Sequence, residues 1–346
     1  MLYQTNNPHG GDIYDGQIEL DFSANTNPFG TPQGIIDAVQ QALPDMHRYP
    51  DPYCRKLIQA ISEFENVPRE YILCGNGAAE LIYAYCEAIR PELAVELAPT
   101  FSEYALGLQR VGSRVERYAL REEQSFELDG DFLRFLEEKQ PGAVFLCNPN
   151  NPTGQIIPPE LLRKILDFCG AHHIHLFVDE CFLDLSDRGE SLKPLLGSYP
   201  NLLILKAFTK SYGMAGIRLG YCMTSNQELL TNMARSVQPW NVSSLAQAAG
   251  IAALQEREFL DKTRELVFSQ RAWLKGELEA LGYRVIESRA NYLLFQGPAT
   301  LHEKLREKHI AIRDCGNYHG LGQGWYRIAV RLPEENRRLI QAMKEV

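Results

Sequence analysis

No apolar run in this 346-residue chain approaches the roughly 18–20 residues that a membrane-spanning helix needs. The start, Met1-Leu2-Tyr3-Gln4-Thr5-Asn6-Asn7-Pro8, lacks the pattern of a secretory leader, and a cytoplasmic location is expected. Positive charge is in deficit: 35 Lys and Arg stand against 44 Asp and Glu, a formal charge of −9. That balance argues against sequence-independent binding to nucleic acid or to an anionic membrane. An anionic substrate therefore has to be drawn by arginines placed locally. The eight cysteines include no Cys-x-x-Cys pair, and several lie in apolar runs, so buried thiols are expected rather than disulfides or a metal site. His172, His173 and His175 crowd together, but no matching cysteine or carboxylate set accompanies them. A helix-to-strand connection is the reading favoured there, and no metal is expected. Repeats, low-complexity tracts and flexible linkers are missing too, which points to closely packed lobes.

What is present is alternation. Short apolar runs at 94–97, 143–147, 176–178, 202–205 and 219–223 are interleaved with helical patterns such as 79–89 and 161–169. This predicts an α/β architecture, a sheet covered by helices. Beyond Trp240 a long helical stretch, 245–281, leads to shorter strand candidates at 284–286, 292–295, 310–312 and 326–330, as expected of a smaller α/β lobe. With 45% hydrophobic residues the chain can bury a large core, and its length allows two domains.

Four segments carry the chemistry. Thr209-Lys210-Ser211 follows an apolar run, and Arg218 stands eight residues after the lysine. A lysine amine can hold pyridoxal phosphate covalently, while an always-charged guanidinium forks onto its phosphate. Cys147-Asn148-Pro149-Asn150-Asn151-Pro152-Thr153-Gly154 reads as a strand running into a turn. His175-Leu176-Phe177-Val178-Asp179 ends a strand on a carboxylate that would project into a crevice. Gly75-Asn76-Gly77-Ala78 joins a strand to a helix start whose free N–H groups suit a phosphate. Singly, each segment also reads as an ordinary surface lysine, turn, helix cap or connection.

Together, in this order and spacing, the four resemble fold type I pyridoxal-phosphate enzymes, the aspartate aminotransferase superfamily, over essentially the whole chain. The resemblance implies a large α/β/α domain with a mostly parallel central sheet, residues 31–240, and a smaller C-terminal α/β domain, 241–346. An N-terminal arm, 1–30, would cover the substrate. It implies Lys210 as the catalytic lysine that bears the cofactor, Asp179 on the pyridine nitrogen, Asn151 on the 3-oxygen, and Arg218 with Gly77 and Ala78 on the phosphate. Tyr104 matches an aromatic stacked on the pyridine face. Tyr49 matches a tyrosine that reaches the cofactor of the neighbouring subunit, which implies a homodimer with shared sites. The chain departs from the pattern at Ala207, where relatives carry a hydroxyl, and at Phe182, where many carry a tyrosine. Thr209 is expected to supply the missing hydroxyl.

The superfamily hosts several reactions on one scaffold, so substrate-side residues must choose among them. Within it the chain most resembles the branch of the threonine-phosphate decarboxylases, with histidinol-phosphate aminotransferases as near relatives. The matching residues run from His9-Gly10-Gly11 and Asn25 to Arg313, Tyr318, Arg327 and Arg331. The resemblance implies Arg327 and Arg313 on substrate carboxylate or phosphate, with Asn25, Arg331 and a folded-over His9 as further substrate contacts. The expected reaction is decarboxylation of L-threonine O-3-phosphate, or of a close phospho-amino acid such as O-phosphoserine, for the cobalamin side arm. Transamination of histidinol phosphate or a related amino acid is the alternative, and a non-catalytic regulator that binds the cofactor is a third.

Overall fold

A computed structural model describes residues 9–14, 17–187 and 189–346. The remaining residues of the expected arm, 1–8 with 15 and 16, lie outside the described residues, as does the leader reading made on Met1 to Pro8. In chain order a short strand β1 (Leu20–Asp21) precedes β2 (Ile72–Gly75), β3 (Leu93–Ala98), β4 (Arg114–Ala119), β5 (Ala143–Cys147), β6 (His175–Asp179), β7 (Leu202–Ala207) and β8 (Gly220–Met223). After them come β9 (Arg284–Val285), β10 (Tyr292–Gln296), β11 (Ile310–Ala311), β12 (Arg313–Asp314) and β13 (Trp325–Ala329).

The largest sheet has seven strands in the order β2-β8-β7-β6-β5-β3-β4. Only β8 runs against its neighbours. Strands β3, β5 and β7 are buried along their full length, and β6 in all but its first residue, which is why they read as apolar runs rather than as alternating ones. One face packs Val144, Leu146, Leu176, Val178 and Ile204 into a first core, and the other packs Phe145, Phe177, Leu203 and Leu205 into a second. From β3 the chain steps outward to β4 and then returns past β3 to β5, β6 and β7. The direction of winding therefore reverses between β3 and β5, and the ends of the strands there open onto a crevice.

A four-stranded antiparallel sheet, β12-β13-β10-β9, lies later in the chain. Its Leu293, Phe295, Tyr326 and Ile328 pack with Leu274 and Leu278 of the helix Arg257–Ala280 and with Leu339 and Ile340 of the helix Pro333–Met343. The helical stretch expected over 245–281 is two helices, Ser244–Ala253 and Arg257–Ala280, because the chain turns at Leu254 to Glu256. The expected strand 310–312 is also divided. Ile310–Ala311 pairs in parallel with β1, while Arg313 and Asp314 pair with β13. Phe22, just past β1, is fully buried in the core of this second sheet. Among the described residues no helix is long and apolar enough to cross a membrane.

Candidate active site

One cavity of about 230 Å³ opens where β3, β5, β6 and β7 end, and most of the residues singled out from the sequence line it. Asp179 is the last residue of β6, Asn151 lies in the turn after β5, and Lys210 sits on the four-residue helix Phe208–Ser211 directly after β7. Ala78, Thr209, Arg218, Asn25, His9, Arg313 and Arg327 complete the set. Parallel strands whose ends stop side by side bring together residues more than a hundred positions apart.

Lys210 makes no hydrogen bond among the described residues, and its ammonium lies 5.6 Å from the centre of the Phe182 ring. Burial first, then Arg327 and Arg218, pull its pKa down to about 8. A lysine in that state is a nucleophile near neutral pH. Asp179 is buried, and its carboxylate accepts from the Cys181 N–H at 2.9 Å and from the Tyr104 hydroxyl at 2.7 Å. Burial raises its pKa, against the pull of those two bonds and of Lys210.

The helix Ala78–Ile89 begins at Gly77, which has φ of 82° and no side chain to cap the first turn. A Cβ added at Gly77 would stand 2.5 Å from Nη2 of Arg218, so only glycine lets that guanidinium lie against the helix start. Arg327 is 5% exposed; it donates to Asn151 Oδ1 and, at 2.7 Å, to the Ser23 carbonyl, while its Nε has no partner. Arg313 donates to Asn317 Oδ1 at 2.7 Å and lies over the Tyr318 ring. Asn25 is almost fully buried, yet neither end of its side-chain amide has a partner. Buried polar atoms left unpaired in this way usually await a ligand or water.

Four of the expected site residues have placements or partners that the sequence did not foresee. Tyr104 does not line the cavity: it lies inside the helix Glu103–Arg110, its ring packs near Phe145 and Phe177, and its hydroxyl reaches Asp179 from beneath. Phe101, ahead of that helix, lines the cavity instead, together with Phe182 and Tyr318. Arg331 is turned away, donating to Glu335 at 3.0 Å at the start of the last helix. His9 does line the cavity, but its Nε2 is 2.6 Å from Glu103 Oε1, and the other oxygen of Glu103 accepts from Tyr83 at 2.8 Å. Tyr49 is 80% exposed and stacked on Trp240 with ring centres 4.6 Å apart, outside the cavity lining. Sequence reasoning also passed over Glu103, whose partners His9 and Tyr83 are distant along the chain, and Cys181, whose N–H bonds Asp179 two residues before it.

A family model, aminotransferase class I and II, matches residues 17–343. The chain belongs to this family. It is 35% identical to a threonine-phosphate decarboxylase of Salmonella typhimurium, over 99% of this chain and 97% of that one. It is equally 35% identical to a histidinol-phosphate aminotransferase of Desulfitobacterium hafniense, over 95% and 91%. The solved histidinol-phosphate aminotransferase of Clostridium acetobutylicum superposes with a TM-score of 0.87 at 27% identity, covering 94% of this chain and 98% of that one. Membership brings the fold type I architecture and pyridoxal 5′-phosphate as cofactor. The cavity fits such a group: it offers a partly buried amine with no hydrogen-bond partner among the described residues, a carboxylate among neutral donors, and a guanidinium seated on an uncapped helix start.

Proposed function

We propose that the protein is a pyridoxal-phosphate-dependent carboxy-lyase acting on L-threonine O-3-phosphate, or on a close phospho-amino acid such as O-phosphoserine. The products would be carbon dioxide and an amino alcohol phosphate of the kind used in the cobalamin side arm. The observation that carries this reading is the pair Arg313 and Arg327. They stand directly opposite each other across β12 and β13, both are buried, and both line the cavity of Lys210. Like charges directly opposite on a sheet repel, and Arg327 has no carboxylate partner among the described residues. A dianionic phosphate monoester relieves that repulsion and suits two planar donor forks.

In this reading Lys210 holds the cofactor, Asp179 faces its ring nitrogen, and Asn151 faces its ring oxygen. Gly77, Ala78, Thr209 and Arg218 receive its phosphate. Once bound, the group supplies an aldehyde that takes up amines and a conjugated ring that accepts the electrons of a bond broken at the neighbouring carbon. Which bond breaks depends on how the protein holds the substrate. With Arg313 and Arg327 on the phosphate, the substrate carboxylate would be left without a guanidinium, and its bond to carbon would be the one given up. Lys210, with its pKa lowered to about 8, would return a proton to that carbon from its ammonium form. His9 and Phe101 wall the substrate side and exclude water, and Asn25 offers both a donor and an acceptor. Arg331, engaged with Glu335, is left out of the substrate contacts. The active unit in this reading is a homodimer, with the exposed Tyr49 and Trp240 pair presented to the partner's site.

A second reading, transamination on histidinol phosphate, is supported by the relative from Desulfitobacterium hafniense. It would have Arg327 hold the carboxylate of a required 2-oxo acid acceptor, since histidinol phosphate itself carries none. The loaded protein is to be incubated with O-phosphothreonine, O-phosphoserine and histidinol phosphate, each with and without 2-oxoglutarate, while carbon dioxide and glutamate are measured. Carbon dioxide released without an acceptor is expected. Glutamate formation without carbon dioxide would replace the lyase by the aminotransferase.

A further inference from the structure

Behind the turn that carries Lys210 lies a second group of charges that the reaction does not touch. Lys206 is on β7, one residue before Ala207. Because Ala207 lines the cavity, alternation along the strand sends Lys206 to the opposite face of the sheet. There its ammonium lies 2.7 Å from Asp184 Oδ1 and 3.3 Å from Glu65 Oε1. Glu65 also accepts from Lys193 at 2.7 Å and from the Tyr221 hydroxyl. The second oxygen of Asp184 accepts from the Ser211 hydroxyl at 3.1 Å, and the Asp184 carbonyl accepts from Arg264 at 3.1 Å.

Ser211 is the residue next to Lys210, and it is tied from both sides. Its carbonyl accepts from Asn27 at 2.8 Å, and the same Asn27 amide group is 2.9 Å from Thr263 Oγ1. Two residues further on, the Gly213 carbonyl accepts from the Thr31 hydroxyl at 2.8 Å. With φ of 63°, Gly213 lies so close to the preceding loop that a Cβ would stand 2.5 Å from the Gly30 carbonyl oxygen. Lys210 itself has no hydrogen bond among the described residues, so the place of its amine is inherited from this clamped backbone.

Stability alone does not account for the arrangement. Two ammoniums, Lys193 and Lys206, face two carboxylates, Glu65 and Asp184, with the carboxyl of Glu180 close by and pushed up to about 7 by burial. Burying such charges returns little net energy, because desolvation offsets most of the attraction. What directional bonds do fix, and apolar packing does not, is the rotation of a helix only four residues long. We propose that Asp184 is a positioning residue for Lys210, acting through the Ser211 hydroxyl and buttressed by Lys206 and Glu65. This rests on Lys210 being the lysine that holds the cofactor.

Asp184→Asn and Ser211→Ala, each loaded with pyridoxal phosphate, are to be compared with the parent by three measurements. These are borohydride fixation with mapping of the labelled peptide, pH titration of the bound cofactor's absorbance, and kcat with KM. Both variants should still label at Lys210, with the absorbance midpoint moved by about half a pH unit or more, kcat lowered about tenfold and KM nearly unchanged. An unchanged midpoint and kcat, with only a lower melting temperature, would reduce Asp184 to a structural support and overturn the proposal. If Asp184→Asn does not fold, Ser211→Ala, which removes one hydroxyl, decides the matter alone. Absence of label at Lys210 in the parent would overturn the cofactor assignment together with this proposal. A labelled parent with unaltered variants would overturn the positioning role only.

Discussion

The strand ends of β6 and β7 carry charge on both faces of the sheet, and the two faces treat it in opposite ways. On the far face both ammoniums are matched: Lys206 with Asp184 and Glu65, Lys193 with Glu65. On the cavity face Lys210 has no hydrogen bond among the described residues, Arg327 contacts only neutral oxygens, and both amide atoms of Asn25 lack partners. Asp179 on that face is bonded only by neutral donors. Burial costs an unpaired polar group the most, so a fold keeps such groups only where something else completes them. Satisfied charge here builds the scaffold, and unsatisfied charge outlines the ligand.

The contrast is tested most severely at Lys210. Lys210→Ala should remove every covalent trace of the cofactor and, with it, all measurable turnover, while the matched face keeps the fold intact. Retained absorbance of a covalently held cofactor, together with activity, would sink the assignment. Next in size is Arg327→Gln, for which kcat/KM on a phosphorylated substrate should fall about a hundredfold, near 2.7 kcal/mol. Its melting temperature should hold or rise, since a like-charge neighbour of Arg313 is gone. Lys206→Met should do the reverse to stability, costing on the order of 3 kcal/mol by leaving buried carboxylates short of a partner. If both substitutions harmed stability alike, the distinction between the two faces would collapse.

How much of this was legible in the sequence divides along the same line. Lys210, Asp179, Asn151 and Arg218 lie close to the ends of β5 to β8, where the joint order and spacing of their segments and the resemblance these carry mark the place, and all four line one cavity. Strands β3, β5, β6, β7 and β8 followed from apolar runs, whereas the half-exposed edge strand β4 carries no such run and was not foreseen. The matched face was invisible. Its pairs join Glu65 to residues 128 and 156 positions away, and nothing near Glu65 announces them. Tyr104 and Phe101 were exchanged for a related reason: they lie three residues apart on either side of a helix start, and only the helix decides which ring turns inward. Arg331 looked like a third substrate arginine until the last helix placed Glu335 within its reach.

Tyr104 now sharpens the comparison at the one carboxylate on the cavity face. Tyr104→Phe keeps the ring packed against Phe145 and Phe177 but leaves Asp179 Oδ2 without its donor. The loss should be about tenfold in kcat, the value of one hydrogen bond to a charged group, with little change in KM. An unchanged kcat would mean that the hydroxyl serves packing rather than the carboxylate.

The smallest effect concerns the proton on Lys210. Its pKa, drawn from 10.5 down to about 8 by burial and by the arginines, means that the amine is charged at low pH and becomes a nucleophile as pH rises through about 8. Stripped protein mixed with pyridoxal phosphate should therefore capture it covalently about fivefold faster at pH 8 than at pH 7, and the rate should level off near pH 9. An ordinary lysine would instead gain about tenfold per unit up to pH 10. Arg327→Gln removes one of the charges that depress the amine, so its profile should move upward, toward that of an ordinary lysine. A profile unmoved by that substitution would leave burial alone as the cause, and the arginines would then act on the substrate without tuning the lysine.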